Sequence, residues 1–278
     1  METGGTSVRL TGLEVVSETT RFFRFQRIDN RNVEYHPGQF FRFILRDDRG
    51  EFERSYSLCN LGEDVPSSAI DLIISEVRGG RATQVLFGAS PGFECRISGP
   101  YGKLVLPDKL PENILMVCTS VGIAPFLPML DEMFRRNKDR YSRVNVTLVF
   151  GIRNLKECLY RDYLQELAAD NSRFEVAFCF SKALPEDACE NDHKGYVQDW
   201  LEKSDNSANG RLVYLCGNPL MIDAVFSLLK SRGFTGRQVI REKYVFARDL
   251  PIAESAVLSK ADKELLAEKI KKYQKKDE

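Results

Sequence analysis

The chain is poor in histidine and has no net charge. Its 278 residues contain only His36 and His193, far apart and outside any metal or triad spacing, so each reads as a surface or turn residue rather than a catalytic one. Lys+Arg and Asp+Glu stand at 40 each, which removes the general electrostatic drive toward a nucleic-acid partner. The seven cysteines, Cys59, Cys95, Cys118, Cys158, Cys179, Cys189 and Cys216, include no C-x-x-C pair and no tight group. That argues against a zinc site, an iron–sulfur cluster or a disulfide framework, and fits a reducing compartment. Met1 to Leu10 lacks the apolar stretch of a signal peptide, and no window reaches the roughly 18 apolar residues of a membrane span. A cytoplasmic monomer without metal, membrane span or nucleic acid is the expectation.

What is present organises into two halves, as the length and the 43% hydrophobic content allow. Up to residue 107, short apolar runs (Val8–Leu10, Arg21–Phe25, Phe40–Leu45, Arg54–Leu58, Ile70–Ile74, Cys95–Ile97) alternate with turn residues such as His36-Pro37-Gly38 and Gly79-Gly80. This pattern predicts an antiparallel β-barrel over 1–107. From 112 to 246, strand-like runs at 114–118, 144–150, 174–180 and 212–216 alternate with helical patterns at 125–136, 160–168, 195–201 and 219–232. That rhythm predicts a Rossmann-like α/β domain on a parallel sheet. The extension 247–278 carries a capping box at Ser259–Asp262 and Leu265, Leu266 and Ile270 at helical spacing, so it reads as a solvated helix.

Four local patterns carry chemistry. Arg54-Ser55-Tyr56-Ser57 lies on a strand, where alternation sets Arg54 and Tyr56 on one face. Gly79-Gly80-Arg81-Ala82-Thr83 reads either as a phosphate-binding helix start or as a plain turn. Cys118-Thr119-Ser120-Val121-Gly122-Ile123-Ala124-Pro125 joins a strand to a helix, which suits a pyrophosphate loop or an ordinary βα turn. Cys216-Gly217-Asn218-Pro219 ends another strand, and its Gly-Asn-Pro turn points to an exposed thiol at the ligand edge of the sheet.

Taken in order, Arg54-x-Tyr56-Ser57, Gly80-x-x-Thr83, Gly99-Pro100-x-Gly102, Gly122-Ile123-Ala124-Pro125-Phe126, Cys216-Gly217-Asn218-Pro219 and Glu242-x-Tyr244 resemble the ferredoxin–NADP reductase superfamily over residues 8–246. The resemblance implies an FAD-binding barrel followed by an NADP-binding domain. It assigns Arg54 to the FAD pyrophosphate, Tyr56 to the isoalloxazine face, Ser57 to the flavin N5 edge, and the Val77 backbone to the flavin border. Gly80, Ala82 and Thr83 fall where the family offers backbone amides and a hydroxyl to the FAD phosphates. Thr119 and Gly122 match the nicotinamide nucleotide's phosphate loop. Cys216, with Gly217 and Met221, matches the nicotinamide contacts, and Tyr244 covers the flavin until nicotinamide arrives. Glu242 is a proton-relay candidate. Ser57, Cys216, Glu242 and Tyr244 are therefore the expected catalytic set.

Two departures stand out. Ser120 occupies a position where many relatives have glycine, and the chain continues past the Tyr at which plant-type members end, so Phe246 competes with Tyr244 for the stacking role. Ser181 and Lys182 after the third strand, with Arg153, match the 2′-phosphate contacts of NADP-linked relatives, with NADH as the alternative. The resemblance implies electron exchange between NADP(H) and a one-electron protein carrier, ferredoxin or flavodoxin. A haem-protein reductase of cytochrome b5 reductase type, or an electron-transfer subunit of a larger complex, is the alternative.

Overall fold

The computed structural model describes residues 5–62, 68–204 and 207–244. The extension 247–278 and Phe246 lie outside the described residues. The first half supplies β1 (Thr6–Val15), β2 (Thr20–Arg27), β3 (Phe40–Asp47), β4 (Gly50–Ser57), β5 (Ala69–Ser75), the short helix α1 (Arg81–Phe87) and β6 (Glu94–Tyr101). These strands pair in the order β4-β3-β6-β1-β2-β5, antiparallel throughout. Alternation drives the fold: Val8 and Leu10, Phe23 and Phe25, and Phe41, Phe43 and Leu45 all face inward and are buried. Phe43 meets Phe25 edge-on at 5.2 Å and Tyr56 at 5.6 Å. Truncating such a ring would cost about 3–5 kcal/mol.

The segment after β4 is stitched to the edge strand β5 by backbone and side-chain bonds. Cys59 N–H donates to Asp71 O at 2.9 Å. The buried Asn60 amide donates to Ala69 O at 3.0 Å and accepts from Asp71 N–H at 3.1 Å. Arg24 closes a bidentate pair on the buried Asp71 carboxylate at 2.7 and 2.6 Å.

The second half supplies β7 (Asn113–Thr119), α2 (Phe126–Asp131), β8 (Asn145–Ile152), α3 (Arg161–Asp170), β9 (Phe174–Phe180), β10 (Asp192–Lys194), α4 (Val197–Lys203), β11 (Arg211–Gly217), α5 (Pro219–Ser231) and β12 (Val239–Lys243). Their order is β10-β9-β8-β7-β11-β12, all parallel. Near-continuous apolar runs suit a sheet covered on both faces. Met116, Cys118, Leu148, Phe150, Phe178, Tyr214 and Cys216 pack with α2 and α3, while Leu115, Val117, Val149, Val213 and Leu215 pack with α4 and α5.

Several boundaries differ from the sequence reading. The helix expected over 125–136 is α2 followed by a π-helical turn over Glu132–Arg136, closed by Asn137 N–H to Glu132 O at 2.9 Å. Strands β10 and β12 were not anticipated; β10 has three residues, too few for a periodic signal, and β12 is mostly polar. The described residues from Gly5 to Tyr244 belong to one compact unit, and Cys59, Ile73 and Leu104 of the first half share a core with Met116 and Phe126 of the second. Tyr214 Oη donates to Val105 O at 2.7 Å across the same boundary.

A candidate active site between the two sheets

Parallel register sets the site. Cys216, at the end of β11, lies level with Cys118 on β7 and Glu242 on β12, and Gly217 lies level with Lys243. Tyr244 follows β12 directly, its N–H held by Gly217 O at 2.9 Å. The second half thus brings three of the expected catalytic residues together at one carboxyl-terminal strand edge.

Ser57, buried at the end of β4, meets them from the first half. Tyr244 Oη donates to Ser57 Oγ at 2.8 Å, and Ser57 Oγ donates to Glu242 Oε1 at 2.9 Å. Tyr244 also packs against the buried cluster that contains Cys216. The result is a chain of three groups, Tyr244 to Ser57 to Glu242, ending on a carboxylate, with Cys216 beside Tyr244. Burial raises the proton affinity of Cys216, Tyr244 and Glu242, most strongly at the thiol and the phenol; for Glu242 the Ser57 hydrogen bond partly opposes it.

One part of the sequence reading needs correction here. Cys216 is fully buried rather than exposed. The Gly-Asn-Pro turn does follow the strand, but Tyr244 packs against the cluster that holds Cys216 and the 119–122 loop closes on its backbone. A Cβ on Gly122 would stand 2.5 Å from Cys216 O, and one on Gly217 would stand 2.6 Å from Thr119 Oγ1. Thr119 Oγ1 accepts from Asn218 N–H at 3.0 Å, tying the two loops together. Ser120 adopts φ 51°, the left-handed backbone that a glycine would take without strain. Met221, in the first turn of α5, is buried, and Leu220 beside it is 77% exposed.

At the barrel, Arg54 and Tyr56 share one face of β4 with Phe52, as alternation requires. The Phe52 ring lies under two guanidinium groups, Arg81 Cζ at 4.1 Å and Arg54 Cζ at 5.3 Å from its centroid. Arg81 was overlooked in the sequence although it lies inside the Gly80-x-x-Thr83 motif. It grips Asp47 at 2.5 Å through two nitrogens and donates to Gly50 O at 3.0 Å, and that grip holds the Asp47 carboxyl down at about 2.

The turn before α1 is braced internally. Gly80 N–H donates to Val77 O at 2.7 Å, and the Thr83 hydroxyl lies 3.0 Å from Val77 O and 2.9 Å from Gly80 O. The Gly80 amide and the Thr83 hydroxyl proton are therefore already engaged. The amides of Arg81, Ala82 and Thr83 precede the first α1 bond, Gln84 N–H to Gly80 O at 3.0 Å, and point out of the helix start. These amides beside Arg54 form a donor set that fits an FAD pyrophosphate.

Exposed Arg153 and Lys182 stand side by side because the backbone continues the β8–β9 ladder: Ser181 N–H bonds Ile152 O at 2.9 Å and Lys182 N–H bonds Arg153 O at 3.0 Å. The Ser181 hydroxyl also donates to Ile152 O, at 3.2 Å. Lys194 adds a third cation, its ammonium donating to Lys182 O. It was missed because it belongs to the three-residue strand β10. Among the described residues no cluster suits a metal ion, and no helix is long and apolar enough to cross a membrane.

Residues 7–106 match the profile of the oxidoreductase FAD-binding domain and residues 116–226 that of the oxidoreductase NAD-binding domain. A ferredoxin--NADP reductase B of Sorangium cellulosum is 26% identical over 243 residues, covering 85% of this chain and 96% of that protein. The phenol hydroxylase P5 protein of Acinetobacter pittii is 26% identical over 236 residues, covering 84% of this chain and 64% of its own length. Among solved structures, a ferredoxin NADP+ reductase from Neisseria gonorrhoeae with bound FAD and NADP superposes with a TM-score of 0.71 at 19% identity, covering 87% of this chain and 99% of that one. The cytochrome b5 reductase domain of Ulva prolifera nitrate reductase gives 0.74 at 18% identity, covering 86% and 97%. These structural likenesses establish the fold.

Proposed function

Because the chain belongs to the ferredoxin–NADP reductase superfamily, with its FAD-binding and NAD(P)-binding domains, we propose that it passes electrons between NADP(H) and a one-electron protein carrier, ferredoxin or flavodoxin. In general terms it is a flavoprotein oxidoreductase. The observation that supports this reading is the hydrogen-bonded chain from Tyr244 through Ser57 to Glu242, which joins the two halves at the sheet edge beside Cys216. We divide the work between 1–107, which holds FAD, and 112–246, which holds NADP(H).

Arg54, the Val77 backbone, and the Arg81, Ala82 and Thr83 amides hold the FAD phosphates and border, and Tyr56 packs on the ring system. Thr119, Gly122, Cys216 and Gly217 shape the nicotinamide side. Arg153, Ser181, Lys182 and Lys194 gather at the edge suited to a 2′-phosphate, which supports NADP over NAD. FAD supplies the chemistry that accepts a hydride as a pair and releases electrons singly.

The protein's own groups supply orientation and proton handling. Ser57 holds its proton toward Glu242 and accepts from Tyr244, so a proton displaced at either end has a bonded neighbour to receive it. Tyr244 lies beside Cys216 and moves aside when nicotinamide takes that place. The closed backbone contact between Gly122 and Cys216 then fixes the docking distance. The test is diaphorase kinetics with NADPH and NADH side by side, followed by ferredoxin, flavodoxin and cytochrome b5 as acceptors. A higher kcat/KM for NADPH together with turnover on ferredoxin or flavodoxin supports the proposal; equal use of NADH, or turnover only on the cytochrome, overturns it.

A further inference from the structure

The groups assigned to the FAD pyrophosphate come from two separate pieces of chain, and the Arg81 side chain links them. Arg54 lies on β4, whereas the Arg81, Ala82 and Thr83 amides open α1. The Arg81 backbone belongs to the second piece, and its guanidinium reaches back to the first. Nε donates to Asp47 Oδ2 and Nη2 to Asp47 Oδ1, each at 2.5 Å, and Nη2 also donates to Gly50 O at 3.0 Å. Asp47 and Gly50 close the β3–β4 hairpin, where they pair across the ladder. The Arg49 N–H holds Asp47 Oδ1 from within the turn at 2.9 Å.

This clamp is well shielded. Its two side chains are 12% and 17% exposed, so water competes poorly for the bidentate bonds. The planar fork of an arginine matches both carboxylate oxygens at once, which a lysine would not do. Arg81 Cζ also lies 4.1 Å from the Phe52 ring centroid, and Arg54 Cζ lies 5.3 Å from the same centroid. One ring on β4 thus seats both arginines. Because Asp47 engages the Arg81 fork, the role this side chain suggests is alignment rather than direct contact with a phosphate.

We propose that Arg81 is a positioning residue for FAD: its grip on Asp47 and Gly50 fixes the start of α1 against the β3–β4 hairpin, so that the α1 amides and the Arg54 guanidinium serve one pyrophosphate together. The proposal rests on the assignment of those donors to FAD given above. When two pieces of chain must be ordered at the moment of binding, that ordering is subtracted from the affinity; a clamp that presets their spacing removes the cost. Losing the Arg81 side chain leaves every one of these donors in place and frees only their spacing.

Asp47 distinguishes alignment from plain attraction. If Arg81 acted as a bare positive charge on the diphosphate, removing the Asp47 carboxylate would take away a competing negative charge and tighten FAD binding. As the anchor of a clamp, Asp47 has the opposite effect, and its removal weakens binding as removal of Arg81 does. The Arg81 hydrogen bonds hold the Asp47 carboxyl down at about 2, so the clamp is fully charged at neutral pH.

The test dilutes the FAD-loaded full chain in steps and reads the released FAD by its fluorescence, giving Kd for the unmodified protein, Arg81→Met, Asp47→Ala and the double variant. The expected result is a rise in Kd of about tenfold in each single variant and no further rise in the double, since both changes break one clamp. Arg21→Met separates alignment from simple bracing of the helix. Arg21 holds the other end of α1, donating to Phe87 O at 2.6 Å with its Cζ 4.4 Å from the Phe87 ring centroid. Its loss should lower Tm and leave the Kd for FAD near the unmodified value. Tighter binding in Asp47→Ala, an unchanged Kd in Arg81→Met, or an equal rise in Arg21→Met overturns the proposal. Unmodified protein that holds no FAD overturns the assignment beneath it instead.

Discussion

Replacing Gly122 by alanine tests the geometry of the nicotinamide side through a single methyl group. The added Cβ would stand 2.5 Å from Cys216 O, 2.9 Å from Cys216 C and 2.9 Å from Gly217 Cα. All three are backbone atoms, so no side-chain rotation relieves the contact. Restoring ordinary contact at 3.4 Å requires the 119–122 loop and the β11 end to part by roughly 0.9 Å. That movement also opens the 3.0 Å bond from Asn218 N–H to Thr119 Oγ1. Overpacking of this kind costs about 1–3 kcal/mol of stability. A misplacement of about 1 Å in a hydride-transfer geometry slows the step about 100-fold. The assay is anaerobic stopped-flow reduction of the bound flavin by NADPH, with FAD content measured in parallel. Gly236→Ala is the control, because nothing lies within 4 Å of its added Cβ. Folded Gly122→Ala protein that reduces its flavin at the unmodified rate would refute the reasoning.

Further outcomes follow from the other contacts. Arg54→Ala should yield flavin-depleted protein on purification, because the remaining amides at α1 lack its bidentate fork; full FAD retention contradicts the assignment. Lys182→Ala should raise KM for NADPH about tenfold while leaving KM for NADH nearly unchanged, and an equal rise for both nucleotides counts against a 2′-phosphate contact. Burial raises the Glu242 pKa, so protonated Glu242 favours the fold and its contribution is lost as pH rises through that value. Glu242→Gln, whose amide oxygen still accepts from Ser57, should therefore gain in Tm over the unmodified protein on going from about pH 5 to about pH 8; a gap that shrinks over that range contradicts the sign.

Much of the fold was legible because alternation and burial are local. Phe41, Phe43 and Leu45 announce an inward strand face, and the run Ile114–Cys118 announces a strand covered on both sides. The meeting of Ser57 with Glu242, 185 residues apart in sequence, has no local signal and was reachable only through the ordered set of motifs. Cys216 was misread as exposed because its turn shows in the sequence while Tyr244 and the Gly122 loop, which enclose it, arrive from elsewhere. Lys194 and Arg81 were missed for opposite reasons, one on a strand too short to see and the other hidden inside a glycine motif.

The central claim is that the Cys216–Tyr244–Ser57–Glu242 junction is where hydride passes between nicotinamide and flavin. It is tested most directly by anaerobic stopped-flow bleaching of the FAD-loaded protein with NADPH, comparing the unmodified chain with Ser57→Ala and Cys216→Ala. The account predicts saturable bleaching that slows at least about tenfold in each variant with FAD content unchanged. Bleaching at the unmodified rate in both variants, or none with either nicotinamide nucleotide in the unmodified protein, would contradict it.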